Sequence, residues 1–443
     1  MIALLLTLAI FPIAGAATAR LLRLPLPPAR LAFVFLLGLG THGSLLYALG
    51  CVGVPIDLPV MIAIPALSVI AVLWHNPSSA LRAPSPLTRG EGFPTDQPSP
   101  LRRGEKVPKA DEGSPRPHPI ATVLFAIPLL VLLFATAIIP TRDYDGRVTW
   151  LPKARAIALE HTITGPFFHG QRGINLHNRY PLLLPLDAAT LMRLTNDTRN
   201  ETPRWMYVLI PIAALLVMRS MLNPWIAAIV AWLPVLTTVE GGALAAYSDL
   251  ALAAFAGVAV LYLIEARSLR VTGLFAAFAV MTKNEGAVLA MAIVIAAVIV
   301  FRLKALRILI PIAVAEAIVV YWRTQVPAAY DEQYEVLISS LPQTIGRIPT
   351  ALLAFVRHAA GFSEWGVFWI AVAIATVIAL VRNRSARLAI PLIVIAIALG
   401  AYVMALTVTS WNIAELAPVA VNRLLAHLLI PASCILATML PKP

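Results

Sequence analysis

The chain has 443 residues, of which 59% are hydrophobic and only 13% charged, with a mean hydropathy of +0.83. That composition excludes a soluble globular domain. The formal net charge of +12 would suggest nucleic acid in a soluble protein, but much of it falls in short connections between apolar runs, where membrane topology accounts for it.

Apolar runs of about 17 to 21 residues recur along the chain, each able to cross a ~30 Å hydrocarbon core at ~1.5 Å per residue. They lack the period-two alternation of a membrane barrel. The sequence therefore predicts an all-α polytopic membrane protein with about 13 transmembrane helices. The spans are Ile2–Ala19, Leu31–Gly50, Asp57–His75, Pro119–Ile139, Trp205–Met221, Trp225–Val239 and Ala243–Ile264. A short pair follows, Val271–Thr282 and Ala287–Phe301, then Ile308–Trp322, Glu364–Val381, Leu388–Val408 and Ala420–Leu440. Val271–Thr282 is too short to cross unaided, so a tilt or a break inside the membrane is expected. The first run lacks a basic leader and reads as a retained span. Cys51 and Cys434 form neither a disulfide framework nor a metal spacing.

Residues 76–118 are dense in Pro, Gly, Ser and charge, and carry a near-repeat of Pro84–Glu91 at Pro98–Glu105. This segment cannot bury apolar surface and reads as a disordered cytoplasmic linker. It separates N-terminal extra helices (1–75) from a transmembrane unit (119–443). Arg20, Arg23, Arg30, Arg219, Arg267, Arg270, Arg302, Lys304, Arg307, Arg382, Arg384 and Arg387 then lie on one side, the cytoplasm. Alternate connections face outward, the largest being residues 140–204. Two interfacial helices are expected in that loop. One is capped by Thr149, with Leu151, Ala154 and Ala158 on its apolar face and Lys153 pointing elsewhere; the other begins near Pro185.

Outward-facing polar residues come from four separate connections. The large loop supplies Asp143, Asp145, Lys153, His177, Arg179 and Tyr180; the others add Asp249, then Lys283 and Glu285, then Arg423 with His427 one turn deeper. Each alone reads as a solvated or snorkelling side chain. Together on one face they suggest a shared site for a phosphorylated lipid. Lys283 and Arg423 suit a phosphate, and a carboxylate such as Asp145 suits a hydroxyl proton. Glu316 is the exception, expected to partner a neighbouring helix within the membrane. No nucleotide-binding loop or His/Cys metal cluster is present in the sequence. Asp143, Asp145 and Asp249 could hold a divalent metal only if they converge, and metal independence is the expectation.

Tyr144-Asp145-Gly146, Trp150–Arg155 and His177–Pro185 resemble the first outer loop of the GT-C superfamily of integral-membrane glycosyltransferases. The closest groups are the polyprenyl-phosphate-mannose protein mannosyltransferases and the aminoarabinose lipid A transferases. Tyr247-Ser248-Asp249-Leu250 and Met281–Gly286 resemble two further signatures in the same order. The resemblance, which runs from Pro119 to the C-terminus, implies sugar transfer from a polyprenyl-phosphate carrier, with inversion. The acceptor, a lipid, glycan or protein, would stand at the outer face of the plasma (bacterial inner) membrane. Asp145 or Asp143 would be the loop acid. Lys283 would hold the donor phosphate; Arg423 joins it on chemical grounds. Asp249 and Glu285 would contact sugar or acceptor or orient the bases.

The family's acidic Asp-Glu pair is here split by Tyr144, which leaves the acid open between Asp143 and Asp145. Three spans precede the helix that feeds the loop, where the family typically has one. A secondary transporter and a non-catalytic lipid-binding or assembly protein of the same fold are the alternatives.

Overall fold

The computed structural model describes residues 2–75, 118–169, 177–237, 242–328, 344–382, 386–409 and 411–440. The linker expected at 76–118 lies, but for His118, outside the described residues, as do residues 170–176 of the large loop.

All regular structure in these segments is helical. The N-terminal part comprises α1 (Ile2–Leu8), α2 (Ile10–Leu21), α3 (Arg30–Cys51) and α4 (Leu58–His75). Then come α5 (Pro119–Ile138), α6 (Leu151–Glu160), α7 (Pro166–His169), α8 (Leu183–Thr195) and α9 (Glu201–Met221). The middle of the chain forms α10 (Pro224–Ala231), α11 (Pro234–Thr237), α12 (Ser248–Ile264), α13 (Leu269–Thr282), α14 (Glu285–Phe301) and α15 (Leu309–Gln325). It closes with α16 (Ile348–Ala359), α17 (Phe362–Trp365), α18 (Phe368–Arg382), α19 (Ala386–Val408), α20 (Ile413–Ala426) and α21 (Leu429–Ala437).

Six helical stretches among the described residues are long and apolar enough to cross a membrane, or seven if the bent pair α20–α21 counts as one span. Outward-facing Leu130, Phe134, Ile310 and Val381 are exposed, as expected of side chains that meet lipid. This is a multi-pass membrane protein. The expected thirteen crossings do not all appear as uninterrupted helices. Trp225–Val239 divides into the short α10 and α11, with Pro234 opening the second. The last span is bent by 52° between α20 and α21. α13 has 14 residues, ~21 Å of helix, and gives way to α14 across Lys283 and Asn284.

α3 packs against α2, α4, α8, α9, α13 and α15, so the N-terminal helices are built into the same core as the helices beyond residue 119. Small residues let α2 and α3 approach closely. A Cβ on Gly15 would lie 1.8 Å from the carbonyl oxygen of Val34, and one on Gly38 would lie 1.7 Å from that of Phe11. Such backbone-to-backbone packing is how membrane helices associate when lipid offers no hydrophobic drive.

The two loop helices differ from the surface helices expected of them. Every residue of α8 from Leu183 to Met192 is buried, because α1, α3, α4, α6, α9 and α13 surround it. Its apolar sequence on all sides suits that position. Asp187 would be stranded there, and His42 of α3 meets it: Nδ1 lies 2.7 Å from Oδ1. The other ring nitrogen is 3.1 Å from the Met61 carbonyl of α4. α6 starts without a Thr149 cap; Thr149 sits instead in a π-helical turn, Gly146–Trp150, its buried hydroxyl without a hydrogen-bond partner. Lys153 is buried, not outward, with its ammonium donating to the His177 carbonyl at 2.5 Å. At the loop's base Arg204 donates to the carbonyls of Thr136 and Ile139, tying the start of α9 to the end of α5.

Candidate functional site

Residues 143–145 enter the site from the end of α5 through a short extended stretch. The following Gly146 is required by packing: a Cβ there would stand 2.0 Å from the Ala245 carbonyl oxygen. This contact presses the loop onto the connection that leads into α12 and brings Asp143 and Asp145 to Tyr247. The Tyr247 hydroxyl donates to Asp143 Oδ1 and accepts from the Asp145 backbone N–H at 3.2 Å. Burial, reinforced by the bond to Asp143, holds the Tyr247 phenol well above its ordinary pKa, so it stays a donor.

Asp249, in the first turn of α12, is the hub. It is fully buried. Oδ1 lies 2.7 Å from Lys283 Nζ and 2.8 Å from His427 Nε2; Oδ2 lies 3.1 Å from the Arg423 guanidinium. Arg423 reaches Asp145 Oδ2 at 2.6 Å and rests 4.6 Å above the centre of the Tyr247 ring. Lys283 also meets Glu285 Oε1 at 3.0 Å. Helix breaks make this possible. Lys283 sits where α13 ends, and Arg423 and His427 occupy the last turn of α20 and the bend before α21. Irregular backbone inside an apolar helix bundle is tolerated where protein side chains satisfy it.

His427 extends the network. With Nε2–H donating to the Asp249 carboxylate, Nδ1 of the neutral ring accepts from the Tyr402 hydroxyl at 3.1 Å. Three carboxylates, Asp145, Asp249 and Glu285, thus surround two basic side chains, Lys283 and Arg423. Both side chains already hold carboxylates, with which an incoming anion would compete.

Of the residues singled out in the sequence, Asp145, Asp249, Lys283, Glu285 and Arg423 join this one network, and Asp143 stands one residue away through Tyr247. Lys153, His177, Arg179 and Tyr180 form an adjoining wall. His177 stacks on Tyr180 with ring centres 4.4 Å apart, and Lys153 lies 5.5 Å from the Trp150 ring centre and 5.7 Å from that of Tyr180. Arg179 donates to the Val326 carbonyl at 2.9 Å. Tyr402 and Arg323 carried no sequence signal. His427 did, because a residue four after Arg423 shares its helical face. Among the described residues no group of three or more His, Cys, Asp or Glu side chains is arranged to hold a metal ion.

Comparison of the chain with protein-family models, with curated proteins and with solved structures gives no match.

Proposed function

We propose that this protein transfers a sugar from a polyprenyl-phosphate carrier to an acceptor hydroxyl at the outer face of the membrane, as a glycosyltransferase of GT-C type. The observation that carries the reading is Arg423 held between Asp145 and Asp249, with Lys283 on the far side of Asp249. A base, two cations and an orienting carboxylate are the groups that such a reaction needs.

In the proposed sequence the donor phosphate takes the guanidinium fork of Arg423 and the ammonium of Lys283. Asp145 is thereby released from Arg423. It accepts the proton of the acceptor hydroxyl as that oxygen forms its bond to the anomeric carbon. The bond from that carbon to the phosphate oxygen breaks, and its electron pair stays on the polyprenyl phosphate, neutralised by Arg423 and Lys283. Attack opposite the leaving group inverts the anomeric centre. Asp249 keeps both cations and His427 in register throughout, and Asp143 steadies Tyr247 beneath Arg423.

The broken α20–α21 helix favours a second reading, a secondary transporter, since discontinuous helices build such sites too. Native mass spectrometry of the purified protein with added polyprenyl phosphate separates the two. Bound lipid that is lost in Arg423→Met supports the transferase. Absence of any lipid complex, with solute uptake by reconstituted vesicles, supports the transporter.

A further inference from the structure

Beside the ion-pair network lies a cavity of about 390 Å³ between the start of α14, α15 and α19, open on one side. Its polar lining is Tyr180, Asn284, Glu285, Glu316, Arg323 and Tyr402; valines and alanines of α13, α14, α15 and α19 complete it. Glu316, expected to pair with a neighbouring helix, instead faces this cavity and makes no hydrogen bond or ion pair with another described residue. Glu285 commits Oε1 to Lys283, while Oε2 is buried without a hydrogen-bond partner among the described residues.

The one guanidinium of this cavity is held by two neutral oxygens. Arg323 donates from Nη2 to Asn284 Oδ1 at 2.5 Å and from Nε to the Arg179 carbonyl at 3.2 Å. With Tyr402 donating to His427, its oxygen can still accept a hydrogen bond. The lining therefore sets two carboxylates, Glu285 and Glu316, and the Tyr402 oxygen against one guanidinium, a balance that favours hydrogen-bond donors over a phosphate. An unmatched buried acceptor is costly, and a ligand that donates hydrogen bonds relieves that cost.

We propose that this cavity binds a ligand bearing several hydrogen-bond donors, hydroxyls or a protonated amine, through Glu316, Glu285 and Tyr402. Its apolar alanine and valine wall suits the flat face of a sugar ring. The inference rests on the transferase reading only in making this ligand the sugar-bearing portion of a substrate. The binding chemistry stands without it. Glu285 joins the two compartments, so a bound sugar here would touch the carboxylate that also holds Lys283.

The test uses the full chain in nanodiscs, with methyl glucoside, methyl glucosaminide and inorganic phosphate as probes in ligand-observed saturation-transfer NMR. The expected result is binding of at least one of the two glycosides, weakened roughly tenfold or more by Glu316→Leu, with no competition by inorganic phosphate. Glu316→Gln, which keeps the shape and removes the charge, should weaken the glucosaminide more than the glucoside. Preference for the glucosaminide assigns the amine as the recognised donor, and equal binding assigns the hydroxyls. No glycoside binding, or affinity unchanged in both Glu316 variants, overturns the proposal. Polyprenyl phosphate is measured on the same sample. Glycoside binding without it overturns the transferase reading and leaves the cavity assignment; the converse overturns the cavity assignment alone.

Discussion

Arg423 Nη1 lies 2.6 Å from Asp145 Oδ2, joining residues 278 positions apart. In the proposed reaction these are the phosphate holder and the base, so each occupies the other until a donor arrives. Substrate binding then switches on the base by exchange of one anion for another.

Asp145→Asn should lower transfer by about 10²- to 10⁴-fold, the usual range for losing a general base. Polyprenyl-phosphate affinity should stay constant or rise, because Arg423 loses a competing carboxylate. Asp143→Asn should be milder, as Asp143 acts through Tyr247. Titration of lipid by native mass spectrometry checks the first variant. Weaker lipid binding in Asp145→Asn would contradict the exchange.

Removing the hub should cost stability as well as activity. Asp249→Ala leaves Lys283, Arg423 and His427 facing one another in a buried site, and breaking a buried ion pair costs roughly 3–5 kcal/mol. A large fall in Tm in detergent is expected. Arg423→Lys should keep the fold yet lose lipid affinity, because a single ammonium cannot span two carboxylates as a fork does. Wild-type lipid affinity in Arg423→Lys would argue against bidentate use of Arg423.

Gly146→Ala tests the loop's seating. Its Cβ would meet the Ala245 carbonyl, so the turn must shift and carry Asp145 away from Arg423. Activity should fall about 10²-fold, the scale of a ~1 Å misplacement. The Tm should change far less than in Asp249→Ala. An active Gly146→Ala would show that Asp145 does not need this placement.

A pH effect follows from α8. Burial outweighs the hydrogen bond to His42 and pushes the Asp187 carboxyl from 3.8 up to about 6. The folded chain then binds this proton more tightly than the unfolded chain, so the stability it contributes is full at low pH and lost as pH rises through about 6. Tm should show this fall in the wild type, and Asp187→Asn should flatten it. A pH profile unchanged by the substitution would contradict the assignment.

Much of this was legible in the sequence. Apolar run length gave the multi-pass helical architecture, and the motifs around Asp145, Asp249 and Lys283 placed acids and a base at one end of the bundle. Arg423 was legible from its chemistry and its place before an apolar run. Less visible were features decided by packing. Helical spacing turned Lys153 away from the apolar face of its helix, yet the ring walls of Trp150 and Tyr180 and the His177 carbonyl enclose it. α8 read as an interfacial helix although its apolar sequence on all sides suits burial; that sequence does not say which helices cover it, and these include α3 and α4. Tyr402 lies inside an unbroken apolar span, where an aromatic residue reads as core. The bend at His427 carried no strong breaker, since Pro431 falls beyond it within α21.

Sugar transfer is tested most directly by following free polyprenyl phosphate by mass spectrometry. Purified wild type and Asp145→Asn are each incubated with a polyprenyl-phosphate-linked sugar and a membrane lipid extract as acceptor pool. In the proposed reaction the wild type releases free polyprenyl phosphate, with a glycosylated product, and a folded, donor-binding Asp145→Asn releases it at least about 10²-fold more slowly. Equal release by the two proteins, or no release by a wild type that binds the donor, would contradict it.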